Sequence, residues 1–297
     1  MVAPQRRILA PGREHWRHGP IDLVIETWGE AAAVARARAD AWARFEQVLG
    51  ELVRELAALR APISAMCGVD GPVARRMVAA CAVHAPDFIT PMAAVAGSVA
   101  DEIIECFARP GVARAFVNNG GDIALHLAPG ESLKVGIVSH AYLPGIDGHL
   151  TLPARSPVRG IATSGWRGRS FSLGIADSVT VLAATAAAAD AAATMIANAV
   201  DIDHPAIRRL PACEVKDDSD LGRRLVTVAV GPLSDRLVAS ALDRGVAAAA
   251  SLLARGLIVG VALALQQQWR SLAACRTWGA SAANRPQRSI FHRLLGP

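Results

Sequence analysis

The chain has 297 residues, of which 52% are hydrophobic, 4% aromatic and 19% charged, and its formal net charge is +5. A chain of this length buries about three quarters of its unfolded surface, and so apolar a composition excludes an extended disordered protein and a coiled coil. Residues 266–297 hold five arginines and no acid, so residues 1–265 are formally neutral and offer no basic stripe for nucleic acid.

Taken in chain order, Pro11-Gly12 is a turn signal, and Ile21, Leu23 and Ile25 alternate with Asp22 and Glu26, predicting a hairpin over 6–28. From Glu30 to Arg60 the period becomes helical, with Phe45, Leu49, Leu52, Leu56 and Leu59 on one face until Pro62 stops it. Helices follow over 72–84 and from Pro91 through Ile103 and Ile104 to Arg109. Strands are expected over 115–127, 133–140, 149–152, 160–163, 170–173 and 178–182, with Pro129-Gly130 and Pro144-Gly145 as short links. A helix covers Asp190–Ala199, residues 201–222 are polar and broken by prolines, and strand 225–230, helix 233–254 and strand 257–265 close the core.

Blocks of helices and hairpins joined by short links disfavour a parallel sheet. They predict one α+β domain over 1–265, an antiparallel sheet with helices packed on one face. The basic residues 266–297 read as a poorly ordered tail. The apolar stretches 178–200 and 245–265 are broken by charge or glycine, so neither is expected to span a membrane. Five cysteines without CxxC spacing argue for reduced thiols, and the N-terminus lacks the apolar run of a signal peptide, so a cytoplasmic location is expected. HExxH and GxSxG are absent, leaving a zinc hydrolase and a serine hydrolase without support.

Four segments can carry chemistry. Asp190 sits among alanines with no nearby side-chain cation in sequence, and Thr194 lies one turn on. Carboxylate and hydroxyl together offer hard oxygen ligands for Mg²⁺ or Ca²⁺, while spacing alone favours Asp190 as a cap or first-turn acid of its helix. Asn118-Asn119-Gly120-Gly121-Asp122 lets backbone approach a ligand closely, or forms a bend in a long strand. Thr163-Ser164-Gly165, followed by Arg167 and Arg169, suits a phosphate or is a solvated turn. The small residues from Ala93 to Gly97, ahead of Asp101, leave a helix start open to a ligand or to another backbone.

In this order the four segments resemble the ApbE-type flavin transferases, and more closely the uncharacterised, signal-less branch of that superfamily. The matches are Ala93–Asp101, the N-x-G-G-D strand Asn118–Ile123, the turn Thr163–Gly165, and the strand and A-D-A-x-x-T helix Val179–Thr194. The resemblance implies an ApbE-like, T-fold-like domain, with Mg²⁺ held by Asp190, Thr194 and the Ala93 carbonyl. It also implies FAD or FMN beside Asn119, Gly120, Gly121 and Asp122 and the turn Thr163, Ser164, Gly165, with Arg167 and Arg169 toward the phosphates. FMN transfer to an acceptor protein or cleavage of the FAD pyrophosphate are the activities implied. The chain departs from the family where Ala96 replaces a lysine, and where 166–177 lacks the H-x-x-D-P-x-T-G segment. Those departures leave a second reading, a binding or assembly protein that keeps the fold without transferase chemistry, as a monomer or a homo-oligomer.

Overall fold

A computed structural model describes residues 3–65, 68–137, 148–168 and 170–273. The chain opens with a three-stranded meander, β1 (Gln5–Ala10), β2 (Arg13–His18) and β3 (Ile21–Gly29), turning at Gly12 with φ +82°. Helices α1 (Ala31–Arg54), α2 (Leu56–Leu59) and α3 (Pro72–Ala82) follow. A 3₁₀ turn, Pro91–Ala94, then leads into α4 (Val95–Ile104). Strands β4 (Val112–Asn119) and β5 (Asp122–Leu127), the hairpin β6 (Ser132–Ile137) and β7 (Gly148–Pro153), and strands β8 (Gly160–Ser164) and β9 (Ser178–Ala183) lead to α5 (Ala186–Ala199). The chain continues through β10 (Ile207–Pro211), α6 (Ala212–Val215), β11 (Leu225–Val230), α7 (Asp235–Ala254), β12 (Gly260–Leu265) and β13 (Gln268–Ala273).

Nine strands form one sheet in the order β1-β2-β3-β4-β5-β8-β9-β12-β13, every pairing antiparallel. The two-residue period decides its faces. Leu23, Ile25, Ala115, Val117 and Ala124 pack against Phe45 of α1, Met77 of α3 and Val99 and Ile103 of α4. Farther along the same face, Ala162, Val179, Val181, Val261 and Leu263 pack against Ile196 of α5 and Leu242 of α7. On the opposite face Ile123, Leu125, Ile161 and Leu182 meet Val135 of β6 and Leu152 of β7. The fold is therefore α+β with helices on one face, and a two-stranded hairpin covers part of the other.

Three expectations are corrected, and two regions gain elements. Residues 115–127 form a hairpin, with Asn119 opposite Asp122 across Gly120 (φ +67°) and Gly121 (φ +115°). Residues 170–173 are not a strand: the Leu173 amide donates to Asn198 Oδ1 (2.9 Å) and the Ile175 amide to the Val200 carbonyl (2.8 Å), so the segment caps the end of α5. The helix predicted to open at Asp190 begins at Ala186. The 201–222 region contains β10 and α6. Beyond 265, β13 adds an edge strand through the two-residue turn Gln266 (φ +43°) and Gln267 (φ +70°). Parts of the 133–140 expectation, the Pro144-Gly145 link and tail residues 274–297 lie outside the described residues.

Helix α7 is long and apolar enough to cross a membrane by length and composition, with mean hydropathy 1.5. Its Val238, Ala241, Leu242, Gly245, Ala249 and Leu252 stripe is buried in the core. Cys81, Cys106 and Cys213 are free thiols, while Cys67 and Cys275 fall outside the described residues.

Glycine sets how closely α5 is gripped. A Cβ on Gly97 would lie 2.3 Å from the Ala186 carbonyl oxygen, and one on Gly160 2.0 Å from Thr185 backbone atoms. Gly97→Ala must push α4 and α5 apart, and it is expected to destabilise the protein by about 1–3 kcal/mol. Gly68→Ala, where a Cβ meets nothing within 4 Å, should change stability by less than about 0.5 kcal/mol. Urea unfolding followed by circular dichroism checks both.

Candidate functional site

Helix α5 is built from alanines because β8 and α4 press directly on its first turn. That turn exposes amides that need acceptors. Thr185 Oγ1 accepts from the Ala188 amide (3.1 Å). Asp101, reaching over from α4, accepts from the amides of Ala186 (2.9 Å) and Ala187 (2.8 Å). The reverse contact is also made: Asp190 Oδ2, on α5, accepts from the Gly97 amide at the start of α4 (2.9 Å), and the Ala96 amide points to the same carboxylate. Each helix thus places a carboxylate on the other's N-terminus, where peptide dipoles favour negative charge.

This geometry answers the alternatives left open for Asp190. It is the fifth residue of α5 and does not cap its own helix. Nor is it stranded, because amides of α4 supply part of its counter-charge. The Gly97 amide, which would bond the Ala93 carbonyl in a longer helix, is turned to Asp190 instead. Thr194 lies one turn beyond Asp190 on α5 and is half-buried, and Ala93 is half-buried in the 3₁₀ turn before α4.

The β4–β5 turn brings a second acid to the same place. Asn118 Oδ1 accepts from the Gly121 amide (2.8 Å), and Asn119 Nδ2 donates to the Ala96 carbonyl (3.1 Å), tying the turn to α4. Asp122 follows, on the helix side of the sheet with Ala124, and accepts from the Thr163 amide (3.3 Å). Burial pushes the Asp122 carboxyl up to about 7, against the pull of that amide. Burial also raises Asp190 well above the ordinary carboxylate range, and the facing charge of Asp122 raises it further. Both side chains are enclosed by protein on most sides yet partly open to solvent. Among the described residues, neither makes a hydrogen bond or ion pair with a side-chain cation.

The turn after β8 has protein partners of its own. Thr163 Oγ1 meets Thr180 Oγ1 (2.9 Å) on the hairpin side of the sheet, so only the Thr163 amide reaches Asp122. Ser164 lies on the helix side, opposite Val179. A Cβ on Gly165 would lie 2.5 Å from the Asp177 carbonyl oxygen. Arg167 stacks on Trp166 (4.4 Å) and its Nε bonds Asp177 Oδ1 (3.2 Å). Asp177 also accepts from Trp166 Nε1 (3.2 Å) and the Gln266 amide (2.7 Å), stapling this turn to the β12–β13 turn. Arg169 lies outside the described residues.

The structure thus gathers Ala93, Asn119, Asp122 and Asp190 around the start of α4, and the Thr163 amide reaches Asp122. Two partners were not read from sequence as site residues. Asp101 carried a signal, an acid inside the apolar run Val99-Ala100-Asp101-Glu102-Ile103-Ile104. Asp177 carried none. No group of three or more His, Cys, Asp or Glu is arranged to hold a metal among the described residues, so hydroxyl or backbone oxygen would have to complete any cation site. A shallow open depression along α7, lined by Arg236, Ser240, Asp243 and Arg244, contains none of these groups.

Comparison with known proteins places this geometry in context. The family described as AbpE bacteria matches residues 6–271. A UPF0280 protein of Methanocella arvoryzae is 39% identical over 137 residues, covering 45% of this chain and 53% of the relative. One from Methanothermobacter thermautotrophicus is 37% identical over 164 residues, covering 54% and 62%. The chain therefore spans about half the length of the curated relatives it matches. Among solved structures, the flavin transferase ApbE from Vibrio cholerae, a point mutant, aligns with TM-score 0.48 and 11% identity over 91% of this chain and 98% of that one. The apo flavinyl transferase ApbE of Pseudomonas stutzeri aligns with TM-score 0.43 and 12% identity over 93% and 96%.

The raised carboxyls give a signed pH dependence. Asp122 holds its proton more tightly folded than unfolded, where it titrates near 3.8. Its contribution is full below that pH and is lost as pH rises through about 7. In EDTA, Asp122→Asn should be more stable than wild type at pH 8 by on the order of 1–2 kcal/mol, with the difference shrinking toward pH 5. Thermal melts across that range check this, and parallel profiles for the two proteins would contradict it.

Proposed function

The chain belongs to the AbpE bacteria family, an ApbE-like family, and from that premise we propose that it binds a flavin dinucleotide together with a divalent cation between β5, α4 and α5. The observation that carries this reading is the pair Asp122 and Asp190, both raised by burial and Asp190 further by the charge of Asp122, with backbone amides of Gly97 and Thr163 donating to them. Two carboxylates in that state take up either protons or a hard cation. Asp190, Thr194, Asp122 and the Ala93 carbonyl would hold Mg²⁺ or Ca²⁺, an all-oxygen set suited to either. When bound, such an ion neutralises pyrophosphate oxygens and polarises the bridging bond.

The chain's own residues do the rest. Helix N-termini usually receive phosphates, but Asp101 and Asp190 already occupy those of α5 and α4. An anionic ligand therefore finds those amides already taken and depends on the cation for admission. The Gly120-Gly121 turn, without side chains, lets a ligand lie close to the Asn119 and Asp122 backbone. Arg167 can turn from Asp177 toward a phosphate, since its side chain is about half exposed.

On this reading the reaction is cleavage of the FAD pyrophosphate, with FAD and water giving FMN and AMP. The FMN-transfer version would pass FMN to an acceptor protein's hydroxyl and release AMP. A second reading, binding without turnover, is favoured by Ala96 in place of the family's lysine and by the structural use of 166–177 around Asp177.

Purified protein should be stabilised by Mg²⁺ or Mn²⁺, by about 2.7 kcal/mol at a hundredfold excess over Kd. Asp190→Asn should lose that response and still fold, because an amide oxygen can accept from Gly97. Incubation with FAD and Mg²⁺, assayed for AMP and FMN, separates turnover from binding. A protein that neither responds to divalent cations nor binds FAD overturns the proposal.

A further inference from the structure

Asp101 is 6% exposed, and both its oxygens are engaged by amides of α5, so it is in no position to touch a ligand. Capping alone does not account for it. Thr185 already serves the end of α5 in the usual way, and a buried carboxylate is a costly substitute for a hydroxyl. What a carboxylate from another helix adds is orientation. Ala186 and Ala187 are held to α4 by two bonds of 2.9 and 2.8 Å, and Asp190 stands one turn later, about 6 Å along the axis. The helices touch backbone to backbone where Gly97 meets Ala186, with no side chain between them to absorb a shift.

We infer that Asp101 is a positioning residue for the candidate site: by pinning the first turn of α5 to α4, it sets the place at which Asp190 presents its carboxylate. The inference rests on the reading of Asp190 as a cation ligand, but the mechanical coupling it asserts can be measured without a cation. The Gly97 amide, the third of α4, has no partner within its helix and is held by Asp190. Its exchange with solvent therefore reports where Asp190 stands.

The test is amide hydrogen exchange of the full chain, metal-free, in wild type and Asp101→Asn. The asparagine keeps the shape but offers one acceptor where two amides need one. Protection at Ala186 and Ala187 should fall, and protection at Gly97 should fall with it by tenfold or more, while Leu263 in β12 stays within twofold. Mn²⁺ binding, titrated by electron paramagnetic resonance, should weaken by tenfold or more in the same variant. If Gly97 keeps its protection within twofold while Ala186 and Ala187 lose theirs, Asp101 serves α5 alone and the inference fails. If wild type binds no Mn²⁺ yet Gly97 responds to Asp101→Asn, the coupling stands and the cation reading falls. Should Asp101→Asn not fold, Asp101→Ser, which keeps one oxygen acceptor, is read the same way.

Discussion

Where α4 and α5 meet, a glycine lets one helix lie against the backbone of the other, and each sends a carboxylate to its neighbour's free amides. Such amides must find acceptors when a helix start is buried, and most helices solve this with a side chain from their own cap. Here the exchange is between helices, so neither start can move without unbinding the other. The alanines of α5 follow from this. Anything larger near Gly97 or Gly160 would hold the backbones apart and break both contacts.

The same exchange determines the electrostatics. Helix N-termini are the obvious place for a phosphate, and the protein has filled two of them with its own acids. Asp122, delivered by the β4–β5 turn, adds a third carboxylate to the neighbourhood, and burial raises all three acids. Acids in this state offer a bare anion no free amide and attract a cation only as they give up their protons.

Beyond the site, stapling by single polar side chains recurs. Asp177 gathers Trp166, Arg167 and the Gln266 amide, and Gln266 in turn donates to the Gly231 carbonyl (2.7 Å) and accepts from the Leu233 amide (3.0 Å). These bonds support the left-handed backbone of Gln266 and Gln267, which side-chain-bearing residues rarely adopt. The turn after β8 and the last strand pair of the sheet are thereby joined through one carboxylate.

Much of the fold could be read locally. The spacing of Phe45, Leu49 and Leu52, the proline that opens α3 and the β-branched run of β9 each reflect a period or a backbone limit that neighbouring residues impose. What failed has physical reasons. The Gln266-Gln267 turn carries neither Gly nor Asn, so β13 was invisible. Residues 170–173 have a strand's pattern, but the Leu173 amide goes to the end of α5. Asp190 was legible as an acid needing a partner, because no side-chain cation lies near it in sequence. That its partners are amides 93 residues away, that Asp122 faces it, and that Asp101 holds its helix in place were decided by tertiary structure alone. Periodicity assigns a residue to a face, and only packing decides what that face meets.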